Sequence, residues 1–259
     1  MPERLPRSSR PSAAPVAPAT SSSAPTTEQA GSVVVTEKVR VWDAPVRLFH
    51  WSLIGLFAFS WWSGENHEME WHRTSGLAVL ALLLFRLFWG LAGSRTARFA
   101  QFIKGPGTVL AYLRKAADEQ ATDGHNPLGG WSVAALLLVL LTLVTAGLFS
   151  VDVDGLESGP LAEYLNFDGG RAAAEIHETA FKAALALIGL HISAILFYQC
   201  LVGRDLLLPM ITGRREREAG EDVDDVRWSP VRAAIGLAVI VFLVWAVSKG
   251  FRFLGAGGL

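Results

Sequence analysis

The sequence predicts an all-α integral membrane protein, with a bundle of four transmembrane helices and a fifth C-terminal transmembrane helix. Hydrophobic residues make up 51% of its 259 residues and charged residues only 18%, which is less charge than a soluble domain of this length usually carries. The apolar residues gather in five segments of at least ~18 residues each, which is enough for a helix to cross a hydrocarbon layer of ~30 Å.

Residues 1–36 differ from the rest of the chain. They are rich in Ser, Ala, Pro and Thr and contain almost no large apolar side chain before Val33. Such a segment cannot bury enough surface to offset its conformational entropy, so we expect a disordered tail. It lacks the apolar stretch of a secretory signal peptide.

The five apolar segments define the predicted spans. Pro45 precedes the first, at a favourable position for the first turn of a helix, and the fourth contains many alanines, which allow close packing. We predict a four-helix domain over residues 37–217, followed by a linker and the fifth helix over 218–259. The spans themselves are residues 46–64, 71–93, 130–149, 172–202 and 231–253.

Lysine and arginine predict the orientation of the spans. These residues are frequent before the first span, between the second and third, and before the fifth, whereas the other two connections are mainly acidic. Because cytoplasmic loops carry the excess of positive charge, the N-terminus is expected in the cytoplasm and the C-terminus outside. In a bacterium this describes a multi-pass protein of the inner membrane with a periplasmic C-terminus.

Four histidines lie near the ends of these spans: His50, His72, His177 and His191. The last two are fourteen residues apart on one segment, so they are ~21 Å apart along the helix and on nearly the same face. The predicted orientation puts His50 and His191 toward the cytoplasm, and His72 and His177 toward the outside. The sequence therefore predicts two histidine pairs at two depths.

Paired histidines at such depths suggest haem ligation. Two imidazoles give iron a six-coordinate centre that transfers electrons and has no open position for O₂. We therefore predict two haem groups whose iron is bound axially by His50 with His191 and by His72 with His177. Covalent attachment of a c-type haem is excluded, since no C-x-x-C-H motif occurs. The alternative for each histidine is an interfacial residue wetted by headgroup water.

Two arginines are candidate partners of the haem propionates. Arg47 shares a helix face with His50, three residues later. Arg86 lies within an apolar run, where a buried guanidinium needs an anion. The alternative for Arg86 is that it extends to the cytoplasmic surface. Arg73 is a weaker candidate at the outer haem.

Several short motifs, taken together, resemble one family. They are V-W-D-A-P-V-R-L-F-H-W at residues 41–51, W-H-R at 71–73, G-H-N-P-L-G at 124–129 and the H-x13-H spacing of the fourth span. In this order they resemble the bacterial di-haem cytochromes b, which include cytochrome b561 and the b-type subunits of nickel-iron hydrogenases. The resemblance covers residues 38–215 and implies a four-helix core with two b haems between the first, second and fourth helices. The N-terminal extension and the fifth span depart from the simplest members.

This resemblance implies electron transfer across the membrane between the quinone pool, ubiquinone or menaquinone, and a redox partner. A c-type cytochrome, a hydrogenase or a dehydrogenase would serve as partner, besides the membrane lipid. The sequence leaves open whether the chain is an electron-transfer subunit or an oxidoreductase, and it indicates no catalytic residue and no nucleic-acid partner. The alternative function is a non-redox membrane protein, such as a transporter or an anchor subunit.

The remaining features have simpler interpretations. His67 is expected to be a solvated loop residue, and His125 a residue of the turn before the third span. The acidic outer connections suggest docking of a basic electron carrier, although acidic loops also arise wherever lysine and arginine are excluded.

Overall fold

The computed structural model describes residues 36–114, 127–218 and 226–251. Within them, each of the five predicted apolar segments is a long helix. The predicted tail, apart from Thr36, and His125 lie outside the described residues. The long helices are α1 (Ala44–Glu65), α2 (Met69–Ala92), α5 (Pro127–Phe149), α6 (Phe167–Cys200) and α8 (Pro230–Ser248). The short helices are α3 (Phe99–Phe102), α4 (Pro106–Arg114) and α7 (Leu207–Thr212).

Four helices of the described chain, α2, α5, α6 and α8, are long and apolar enough to cross a membrane. α1 has 22 residues and is longer than α8 with 19, but it does not belong to this set. Its apolar side chains are interrupted by Arg47, by His50 and by serines, which lower its mean hydropathy. The structure therefore supports a helical multi-pass membrane protein, while the crossing of the membrane by α1 stays a prediction.

α2 lies at the centre of the bundle. It packs along α1 on one side and contacts α5 and α8 on others, while α5 packs along α6. The buried core joins Leu83 of α2, Leu140 of α5 and Ala184 of α6 with Phe49 of α1. Aromatic rings link α1 to α6, the two helices that carry three of the four histidines.

The linking rings belong to Phe57 and Trp61 of α1 and Phe181 of α6. The ring of Phe181 stacks on Phe57 at 6.1 Å between centroids and meets Trp61 edge-on at 5.6 Å. Phe181 lies one helical turn beyond His177, on the side of His191. The contact therefore lies between the depths of the two predicted histidine pairs.

A two-stranded antiparallel sheet joins the segment before α1 to the segment after α7. Its strands are β1 (Thr36–Arg40) and β2 (Arg214–Glu218), paired from Thr36 with Glu218 to Arg40 with Arg214. The sheet was not predicted, because both strands are dominated by charged residues and neither has an apolar alternation. β2 crosses the predicted domain boundary at residue 217 and so ties the segment before α8 to the start of the four-helix domain.

α8 is attached to α2 along one face. The Arg232 guanidinium donates to the Ala92 carbonyl at 2.7 Å, and Gly236 lies against the ring of Phe88. Beyond the end of α8, the Tyr164 hydroxyl from the connection between α5 and α6 donates to the Gly250 carbonyl at 2.7 Å. Both ends of α8 are thereby fixed to the rest of the bundle.

Candidate functional site

His72 of α2 and His177 of α6 face each other. Their ring centroids are 6.0 Å apart and their planes are inclined by 81°. With a metal–nitrogen distance of ~2.0 Å, two imidazoles on opposite sides of one metal ion have centroids about 6 Å apart. The separation of this pair fits two axial ligands of one iron, and the near-perpendicular planes are compatible with that arrangement.

Each of these two imidazoles is held by a main-chain carbonyl. His72 Nδ1 lies 2.8 Å from the Ser60 carbonyl oxygen of α1, and His177 Nδ1 lies 2.8 Å from the Leu143 carbonyl oxygen of α5. A carbonyl only accepts hydrogen bonds, so Nδ1 carries the proton in both rings and Nε2 keeps a free lone pair. This is the arrangement in which histidines bind metals, with the second nitrogen bonded to a carbonyl or carboxylate.

His50 of α1 and His191 of α6 are the second predicted pair. His50 Nδ1 is buried and has no hydrogen-bond partner among the described residues, and the same holds for Arg47 Nε, one helical turn away. Because a buried polar atom without a partner costs ~1–3 kcal/mol, the two nitrogens fit a site that a polar group completes.

The fit to haem differs between the two pairs. His72 and His177 have ring centroids at a suitable separation and Nδ1 atoms bonded to carbonyls, which fits a pair of haem ligands. His50 and Arg47 offer buried nitrogens without partners, which fits a ligand together with a nearby propionate carboxylate. The residues present therefore suit the cofactor that the sequence predicts.

Arg86 is buried, with an exposed fraction of 3%. Its Nη1 donates to the Ala97 carbonyl at 3.2 Å, and its guanidinium carbon lies 4.8 Å and 5.8 Å from the ring centroids of Phe99 and Phe102. The side chain therefore does not extend to the surface. These contacts give Arg86 a role in holding α3 against α2, and its bond to a propionate stays a prediction.

The other polar candidates lie outside the histidine pairs. Arg73 forms an ion pair with Glu157 at 2.8 Å. His67 is exposed and has φ 58° in the turn between α1 and α2, as a loop residue would. Sequence reasoning missed the carbonyls of Ser60 and Leu143, since a main-chain acceptor leaves no signal in the sequence.

The family model of the prokaryotic cytochrome b561 matches residues 41–213. This range covers well over half of the chain and contains all four histidines, whereas α8 lies beyond it. No curated protein and no solved structure was found to be similar. The chain therefore belongs to the prokaryotic cytochrome b561 family, whose members are membrane cytochromes that bind b-type haem and transfer electrons.

Proposed function

We propose that the protein is a di-haem cytochrome b that transfers electrons across the bacterial inner membrane between the quinone pool and a redox partner. The observation that carries this proposal is the facing pair of His72 and His177, with both Nδ1 atoms bonded to carbonyls. The buried His50 Nδ1 and Arg47 Nε, which have no hydrogen-bond partner among the described residues, support a second site. Family membership supports b-type haem and electron transfer.

When bound, each haem supplies a one-electron redox centre. His72 and His177 would hold the outer haem, and His50 and His191 the inner one, with Arg47 beside a propionate. The carbonyls of Ser60 and Leu143 hold the outer imidazoles in a fixed orientation, in the tautomer that carries its proton on Nδ1. With two histidines to hold each haem, the bound group would supply electron transfer rather than O₂ binding.

The aromatic contact between α1 and α6 contributes in a different way. Phe57, Trp61 and Phe181 lie between the depths of the two pairs. Their rings put apolar surface between the two proposed sites, so both centres would lie in surroundings of lower polarity. Such surroundings tune the potential of a haem.

A groove at the outer ends of α2 and α8 supports a link to quinone. It has a volume of about 830 Å³, within the range of ~300–1,000 Å³ for ligand sites. Lys249 offers a hydrogen-bond donor there, and Leu77 and Trp245 offer apolar surface. We place the quinone head group in this groove, beside the first turns of α2, because its carbonyl oxygens accept hydrogen bonds from such a donor.

The proposed orientation follows from the charged connections. A cytoplasmic N-terminus puts the sheet of β1 and β2 inside, and the groove and the outer histidine pair toward the periplasm. All five long helices, α1 included, would then cross the membrane. In this arrangement residues 37–217 form the haem-binding domain, and α8 is an addition to it.

The proposed function can be tested with a visible absorption spectrum and a measurement of haem per chain. Purified protein should show a dithionite-reduced α-band of b-type haem and two haems per chain, and a quinol should reduce both. A colourless protein would exclude the proposal and favour the transporter or anchor alternative. One haem per chain would contradict the second site alone.

A further inference from the structure

We propose that Gly64 and Gly147 are positioning residues for the outer haem ligands. A Cβ atom at Gly64 would lie 3.0 Å from His72 Nδ1 and 3.2 Å from its Cε1. A Cβ atom at Gly147 would lie 2.9 Å from His177 Nδ1 and 3.0 Å from its Cε1. Each glycine thus leaves the space in which one imidazole lies against a neighbouring helix.

The same local arrangement occurs on two different helices. On α1, the carbonyl that holds His72 belongs to Ser60, four residues before Gly64. On α5, the carbonyl that holds His177 belongs to Leu143, four residues before Gly147. Because residues four apart share a helix face, each glycine lies beside the accepting carbonyl. A methyl group there would meet the imidazole that this carbonyl binds.

The imidazoles have little freedom to avoid such a methyl group. Their centroids are already 6.0 Å apart, and a shared iron would hold them at that separation. The remaining movement is a tilt away from the glycine, which lengthens the Nδ1–carbonyl hydrogen bond. The glycines are therefore needed for the hydrogen bond itself as well as for close helix packing.

This inference rests on the proposed function, since it concerns how the histidines hold iron. A hydrogen bond from Nδ1 to a carbonyl makes the imidazole a stronger electron donor through Nε2. A stronger donor stabilises ferric over ferrous iron. Lengthening the bond at either glycine should therefore raise the midpoint potential of the outer haem.

The test is a redox titration of Gly64→Ala and Gly147→Ala in the full-length holoprotein, followed by visible and low-spin EPR spectra. Each variant should raise the potential of one haem, change its EPR g values and leave the other haem unchanged. The affected haem is identified as the one that His72→Ala loses. Gly105→Ala is the control, since a Cβ atom there would meet nothing within 4 Å.

The outcomes separate this inference from the function on which it rests. Loss of the outer haem alone from either variant would support the positioning role, as would the shift in potential. Unchanged potentials in a two-haem protein, equal shifts of both haems, or loss of both haems would overturn it. If His72→Ala keeps two haems, the ligand assignment itself fails, whatever the glycine variants show.

Discussion

Trp89 and Asp43 are joined by a buried hydrogen bond of 2.8 Å, from the indole Nε1 to the carboxylate Oδ2. The other carboxylate oxygen, Oδ1, accepts from the Val46 main-chain nitrogen, also at 2.8 Å. One carboxylate therefore caps the first turn of α1 and ties it to the last turns of α2. Because His50 follows seven residues after Asp43, this contact fixes the position of His50 along α2.

Replacing Asp43 with alanine should destabilise the fold. Loss of an N-cap costs ~0.5–2 kcal/mol, and the indole of Trp89 would keep a buried donor without a partner, at ~1–3 kcal/mol. Thermal unfolding of the purified protein in detergent should show a clearly lower midpoint for Asp43→Ala. Asp43→Asn, which keeps one acceptor oxygen, should fall between this variant and the unchanged protein. Equal midpoints for all three would contradict the double role of the carboxylate.

The sequence predicted the long helices well, because runs of apolar residues bounded by proline, glycine and charge allow few other structures in a membrane. It did not predict the contacts made by main-chain atoms. The hydrogen bonds from the histidines to the carbonyls of Ser60 and Leu143 depend on how the helices pack. Asp43 was missed too, although an aspartate just before Ala-Pro is a signal for an N-cap that could have been used.

The contacts of Arg86 could not be predicted from the sequence either. Its apolar neighbours in sequence suggest a need for an anion, yet Phe99, Phe102 and the Ala97 carbonyl surround it in the fold. These partners come from the connection after α2, whose path the periodicity of α2 does not determine. The pairing of β1 with β2 depends in the same way on a distant part of the chain.

Single replacements of the four histidines should fall into two classes. His72→Ala and His177→Ala should lose the same haem, and His50→Ala and His191→Ala the other, because a bis-histidine site without one ligand binds haem weakly. Each variant should keep about half of the haem per protein. The measurement is haem stoichiometry combined with a redox titration, which shows which centre remains.

His67 provides the matched control for these variants, since it is exposed and lies in the turn just before α2. His67→Ala should keep both haems and both potentials. Full haem content in His177→Ala would overturn the outer pair. Loss of different haems from His50→Ala and His191→Ala would overturn the inner pair.

Electron transfer to a basic soluble carrier should depend on ionic strength. The exposed acids near the outer histidine pair create a negative field that speeds the encounter with a positive partner at low salt. Stopped-flow rates with a basic c-type cytochrome should therefore fall steeply as salt is added, and a rate that is indifferent to salt would argue against docking there. The acids concerned are Glu65, Glu68, Glu70, Asp154, Glu163 and Asp168.

Charge-neutralising replacements can identify the docking surface. Glu68→Gln and Glu70→Gln remove exposed charge from the start of α2 and should weaken the salt dependence. Glu216→Gln is the matched control, because it removes an exposed acid from β2, on the proposed cytoplasmic side. It should leave the rate with the periplasmic carrier unchanged.

The orientation of the chain can be tested with reporter fusions. If the positive connections are cytoplasmic, a reporter that is active only in the periplasm should be active after residue 251 and inactive after residue 218. The two junctions lie on either side of α8, so the comparison also tests whether α8 crosses the membrane. Activity at both junctions, or at neither, would contradict the proposed topology.

The packing of α8 on α2 should be sensitive to Gly236. A Cβ atom there would clash with Cε1 of the Phe88 ring, so Gly236→Ala should push α8 away from α2 or force the ring to move. Overpacking of this kind typically costs ~1–3 kcal/mol. The double variant Gly236→Ala with Phe88→Leu should recover part of the lost thermal stability, since the smaller side chain leaves room for the methyl group.

Both variants should keep two haems, because all four histidines lie on α1, α2 and α6. Haem loss in Gly236→Ala would mean that α8 is a necessary part of the haem-binding domain, rather than an addition to it.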